Sequence, residues 1–150
     1  MAPDGHTTDL LETRLRFRLD LAEVLTRDEQ PLRLWAVVGE AALHKNIGGQ
    51  AAMRAQLWHV IDLCRRLPNL TVQVLPLSTR EHYFTGATVS IYTFDGTISP
   101  IASVDTTIGE YFFDRDTAVS EAATKFDDVR TKAADPLTSI DMMADIAGKP

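Results

Sequence analysis

The sequence predicts an α+β domain in which a parallel strand–helix–strand unit precedes an antiparallel meander, giving one mixed sheet of about five strands. Two apolar runs, 32–38 and 71–75, flank a long helical stretch at 50–67. A strand, a crossover helix and a second strand form a right-handed parallel unit. Three shorter strands, at 87–94, 101–105 and 111–113, follow between turn residues, and the hydrophobic period then becomes helical again.

The first strand is predicted at 32–38, between Pro31 and Gly39, in a run rich in bulky and β-branched residues. Apolar side chains point to both of its faces, so we expect it at the centre of its sheet. The next residues, 40–44, are predicted to form one helical turn at the carboxyl end of this strand, where α/β units often bind ligands. Glu40 and His44 are therefore candidate ligand-binding residues. The simpler alternative is that Glu40 caps a local turn and His44 is solvated.

Helices are expected at both ends of the domain. Residues 1–7 are interpreted as a flexible lead and 8–150 as a single domain, with a first helix from Thr8 to about Arg27. Its apolar residues fall on several stripes, namely Leu10, Leu11, Leu15, Phe17, Leu19, Leu21, Val24 and Leu25. A terminal helix that is apolar on several sides is expected to pack against a second subunit, which predicts a homodimer. Two C-terminal helices are predicted, on either side of Asp135-Pro136.

Alternation with period two predicts a polar and aromatic face on the sheet, away from the helices. Its candidate ligand-binding residues are Trp35, Gln73, Ser90, Tyr92, Ser103 and Tyr111. Asp105 and Glu110 lie beside them, and His82 in the loop 78–86 could complete an acid–base set with these two carboxylates. Solvated faces rarely concentrate Trp and Tyr beside carboxylates, which favours a pocket floor or a partner-binding face over a plain solvated face.

Composition excludes several function classes. The net charge of −6 argues against a nucleic-acid-binding surface. Cys64 is the single cysteine and lies on the core stripe of the long helix, so we interpret it as a buried spacer and not a nucleophile. The four histidines lack metal-ligand spacing, and no metal or cofactor is expected. No transmembrane run or signal peptide is recognisable, which predicts a cytoplasmic protein without membrane contact.

Two segments resemble the C-terminal domain of unknown function of antitoxin-like, actinomycete-type helix-turn-helix regulators: PLRLWAVVGEAALHKNIGGQAAMRAQLWHVIDLCRRLPNLTVQVLP and SVDTTIGEYFFDRDTAVSEAATKFDDVRTKAADP. The resemblance covers about 13–147, and its most specific parts are 40–43, Gly48-Gly49 and 72–76. It implies a domain that follows a DNA-binding domain and senses a small molecule or a small partner protein. The chain departs from that pattern in its loop, which has Arg80-Glu81-His82-Tyr83-Phe84 where small residues are usual.

Three functional hypotheses remain open at this point. The chain has no room for a helix-turn-helix before Thr8, so if Met1 is the natural start we expect a stand-alone binding domain that does not bind DNA. The alternative is a small biosynthetic enzyme of secondary metabolism, with cyclase- or isomerase-type proton transfer on the polar face. In the third hypothesis the chain is a fragment of a full regulator.

Overall fold

The computed structural model describes residues 9, 12, 13, 15, 16, 19, 20, 22–80, 83 and 86–148. The elements in chain order are β1 (Leu34–Gly39), α1 (Glu40–Leu43), α2 (Gln50–Arg66), β2 (Leu70–Leu75), β3 (Thr88–Tyr92), β4 (Ile101–Thr106), β5 (Gly109–Phe113), α3 (Asp116–Lys132) and α4 (Pro136–Ala147). The described residues between 9 and 23 are helical, as predicted for the first helix. The lead predicted at 1–7 and several positions of that helix lie outside the described residues.

The α+β class, the parallel unit and the antiparallel meander are confirmed, but the five strands divide between two sheets. β1 and β2 pair in parallel, and β3, β4 and β5 form a separate antiparallel sheet in that order. The expectation of one continuous mixed sheet therefore needs correction. Among the described residues, no helix combines the length and the hydropathy needed to cross a membrane.

The division into two sheets follows from the hydrogen bonds on the second edge of β2. The Val74 backbone N–H donates to Ser139 Oγ at 2.9 Å, and the Ala134 N–H donates to the Val74 carbonyl at 2.9 Å. In a parallel ladder these two Val74 groups point away from β1. The connection between α3 and α4 thus takes the place that a third strand would occupy.

β1 is an edge strand, so the expectation that it lies at the centre of its sheet is wrong. Among the described strands it pairs only with β2, and its residues Leu34 and Trp35 are 39% and 44% exposed. The apolar side chains of β1 make two different kinds of contact. Ala36 and Val38 pack against the core, while the Trp35 ring lies under the Arg130 guanidinium.

The main core lies between β2 and the helices α2 and α4. Its buried members are Leu57, Ile61, Leu70, Val72, Val74, Met143 and Ala147, with Ile61 at 0% exposure. Cys64 lies partly buried beside them, and burial raises the pKa of its thiol. This position agrees with the predicted spacer role, because a neutral thiol in apolar surroundings is a weak nucleophile.

Candidate functional site

The carboxyl ends of the two parallel strands are joined by the Glu40 side chain. Glu40 follows β1 directly, and its Oε2 accepts a hydrogen bond from the Leu77 backbone N–H at 2.8 Å, across 37 residues of sequence. Its other oxygen lies 3.6 Å from Nε2 of His44, whose side chain is 50% exposed. Glu40 therefore holds the segment after β2 against α1 instead of capping a local turn.

A cleft of about 600 Å³ opens beside this junction. Its floor is apolar and is formed by Leu43, Met53, Leu57, Ile146 and Ala147, of which Leu57 and Ala147 are buried. One wall is the end of α4, which is held in place because Trp58 Nε1 on α2 donates to the Gly148 carbonyl at 3.2 Å. Cavities of about 300–1,000 Å³ are typical of small-molecule sites, so the cleft has the size for such a ligand.

The rim of the cleft is basic. Among the described residues, the charged or titratable side chains that line it are His44, Lys45 and Arg54, and none of the described lining residues is Asp or Glu. Gly48 and Gly49, with φ values of 73° and 96°, turn the chain from the rim into α2. α2 starts without a capping side chain and without an acidic residue in its first turn, so the positive end of its dipole adds to the positive potential here.

The antiparallel sheet brings together five of the predicted site residues on one face. Ser90 lies directly opposite Ser103, and Asp105 lies opposite Glu110, with Tyr92 on the same side. Ser103 is buried, and its Oγ donates to Glu110 Oε1 at 2.8 Å, whereas both carboxylates are exposed. The lining of the basic cleft includes none of these five residues.

Tyr111 does not belong to this face. It pairs with Val104, so period two places it on the opposite side of the sheet from Asp105 and Glu110. The predicted position of Tyr111 beside the carboxylates is therefore wrong. Its side chain is 49% exposed, at the edge strand β5.

Trp35 and Gln73 lie in the other sheet, so their predicted place on the carboxylate face is also wrong. Trp35 Nε1 donates to Gln73 Oε1 at 2.7 Å, and Gln73 Nε2 donates to the Ala134 carbonyl at 2.8 Å. The Arg130 guanidinium stacks on the Trp35 ring, 4.4 Å from its centroid. Gln73 is buried, and these contacts attach the end of α3 to the parallel pair.

The predicted acid–base set is only partly described. His82 lies outside the described residues, and within them the Asp105 side chain forms no hydrogen bond or ion pair. No group of three or more His, Cys, Asp or Glu side chains in the described part of the chain could hold a metal ion.

The sequence predicts one side of the basic cleft but not the rest. It marks His44 and the neighbouring Glu40 as candidate ligand-binding residues, but not Lys45, Arg54 or the apolar floor. The floor combines residues of α1, α2 and α4 that are far apart in sequence, and their contact depends on how the helices pack. Two basic residues on either side of Gly48-Gly49 were the one local signal available.

Comparison with known proteins gives one match. Searches of curated proteins and of solved structures found no significant similarity. The model of one protein family, described as "Domain of unknown function (DUF5753)", matches residues 1–145. Since this match spans nearly all of the 150 residues, the chain belongs to the DUF5753 family of domains of unknown function.

Proposed function

We propose that this chain is a binding domain of the kind found in antitoxin-like regulators, which takes a small molecule or a small partner protein and does not itself bind DNA. The observation that carries the proposal is the cleft beside the joined strand ends, with an apolar floor and a basic rim. Support also comes from the resemblance of 31–76 and 103–136 to the domain that follows the helix-turn-helix in such regulators. The net charge of −6 opposes binding to a polyanion.

The alternative, a small enzyme with cyclase- or isomerase-type proton transfer, has one observation in its favour. Asp105 and Glu110 lie opposite each other, and Ser103 donates to Glu110. However, groups that act as general acids and bases are usually tuned by burial, and both carboxylates are exposed. The basic cleft combines an apolar floor with cations at its rim, so binding is the preferred function.

The proposal can be tested by titrating a chemically diverse fragment library into the isotope-labelled protein and following backbone amide resonances. We expect most hits to shift the amides of Leu43, Lys45, Met53, Arg54 and Ile146. Hits concentrated at Asp105 and Glu110 would favour the enzyme instead, and a library without hits would contradict the proposal. A gel-shift assay at physiological salt should show no sequence-specific DNA binding by the chain.

The Met53→Trp variant provides a matched control for that screen. Met53 is a partly exposed floor residue, and an indole at this position fills part of the cleft without opening a void in the core. We expect the variant to remain folded and to lose most of the hits. Unchanged hits in this variant would show that the fragments bind elsewhere.

A further inference from the structure

The charge of the cleft is opposite to the charge of the whole protein. The chain carries 21 acidic and 15 basic side chains, yet the part of the cleft lining that the structure describes contains Lys45 and Arg54 and no carboxylate side chain. Glu40 lies 3.6 Å from His44 at the rim, and its other oxygen already accepts the Leu77 N–H. A concentrated positive potential on an acidic protein attracts anions selectively.

Within the described part of the chain, the two rim cations have no acidic partner. Among the described residues, neither Lys45 nor Arg54 forms an ion pair, whereas Arg66, Lys125, Arg130 and Lys132 all pair with a carboxylate on their own helix. Unpaired cations at the edge of a concave site are available for charge-assisted hydrogen bonds to a ligand. A carboxylate or a phosphate is the group that such cations recognise.

The apolar floor indicates that the ligand also has an apolar portion. Leu43, Met53, Leu57, Ile146 and Ala147 present aliphatic surface directly beside the cations. A simple inorganic anion would leave this surface in contact with water. A ligand with a hydrocarbon portion would cover it, at about 25 cal/mol for each Å² of apolar surface removed from water.

We infer that the cleft binds an amphipathic anion, that is, a small molecule with a carboxylate or phosphate head and an apolar body. The head lies between Lys45 and Arg54, and the body lies on the floor formed by α2 and the end of α4. This inference rests on the proposed binding function and specifies the ligand class of the same site.

The test compares four probes by calorimetric titration, with amide resonances to locate the binding. Octanoate and octyl phosphate carry both features, acetate lacks the apolar body, and octyltrimethylammonium reverses the charge. We expect the two amphipathic anions to bind in the cleft, and acetate and the cation to bind at least about tenfold more weakly. The ratio of the affinities for octanoate and octyl phosphate shows whether the site prefers a carboxylate or a phosphate head. Because the cleft is open to solvent, added salt should weaken the binding.

Charge-neutralising variants locate the head group. The pair Lys45→Gln and Arg54→Gln should weaken octanoate binding by about tenfold or more, since each charge-assisted hydrogen bond contributes substantially. The matched control is the pair Arg33→Gln and Arg115→Gln, which removes the same charge from exposed positions outside the cleft and should change the affinity by less than about twofold. Circular dichroism verifies that both variants are folded.

Three results would overturn the inference. If octyltrimethylammonium bound in the cleft as tightly as octanoate, the cleft would still be a binding site but not an anion site, and the proposed function would stand. Equal octanoate binding by the cleft variant and the control variant would also contradict it. If no probe and no library fragment shifted the cleft amides, the proposed function would fail as well.

Discussion

A single side chain, Gln73, connects three elements of the fold. Gln73 is the fourth residue of β2. Its Oε1 accepts a hydrogen bond from Trp35 Nε1 on β1, and its Nε2 donates to the Ala134 carbonyl just after α3. The sequence alone places this glutamine on a polar and aromatic binding face. Its burial gives it a structural role instead, because a buried amide must have its hydrogen bonds satisfied.

The Gln73→Ala variant should lower the free energy of unfolding by about 1–3 kcal/mol, because it removes the acceptor of Trp35 Nε1 and leaves the Ala134 carbonyl without that donor. Urea unfolding followed by tryptophan fluorescence measures this change. Gln56→Ala on the exposed side of α2 is the matched control and should change the stability by less than about 0.5 kcal/mol. Equal effects of the two substitutions would remove the structural role assigned to Gln73.

Asp135 gives the stability a defined dependence on pH. It caps α4, and its hydrogen bonds from the Thr138 hydroxyl and from the Thr138 and Leu137 backbone N–H groups lower the pKa of its carboxyl below the ordinary 3.8. A carboxyl whose pKa is lower in the folded state stabilises the fold at pH values above its pKa in the unfolded state. This stabilisation is lost as the pH falls through its pKa in the folded state. Asp135→Ala should therefore be less stable at neutral pH, and the difference should shrink below pH 3.8. A difference that stays constant across this range in urea titrations would contradict the assignment.

At the level of elements, local pattern predicted most of the fold. β1, β2 and α2 each begin and end within two residues of their predicted limits, because their hydrophobic periodicity and the Gly and Pro residues beside them are local signals. The division into two sheets could not be predicted, since it depends on Ser139 and Ala134 reaching the edge of β2. Nothing in the local sequence distinguishes this serine from a solvated one.

Ser139 is therefore the residue that tests the division. It is fully buried, and its Oγ accepts the Val74 N–H and donates to the Ala134 carbonyl. Ser139→Ala should lower the free energy of unfolding by about 1–3 kcal/mol, because a buried backbone N–H loses its acceptor. Ser120→Ala, at an exposed position in α3, should be neutral or slightly stabilising, since Ala favours helix. The same small change in stability for both variants in chemical denaturation would contradict the proposed role of the Ser139–Val74 hydrogen bond at the edge of β2.

At the scale of the whole molecule, the homodimer stays a prediction, and it concerns the exposed leucines of the first helix. Leu15 and Leu19 on this helix are 60% and 57% exposed, so the described part of the chain does not bury them. We expect light scattering at micromolar concentration to give the mass of a dimer, and Leu15→Ser with Leu19→Ser to shift it toward a monomer. Leu77→Ser with Leu137→Ser, two exposed leucines on other segments, should leave the mass unchanged. A monomer for the unaltered protein would contradict the expectation.

The claim that the basic cleft binds an amphipathic anion can be tested by a crystal structure of the protein with octanoate. The predicted result is density for the carboxylate within hydrogen-bonding distance of Lys45 and Arg54, with the hydrocarbon chain against Met53 and Ile146. Density for octanoate at Asp105 and Glu110, or an empty cleft at saturating octanoate, would contradict the claim.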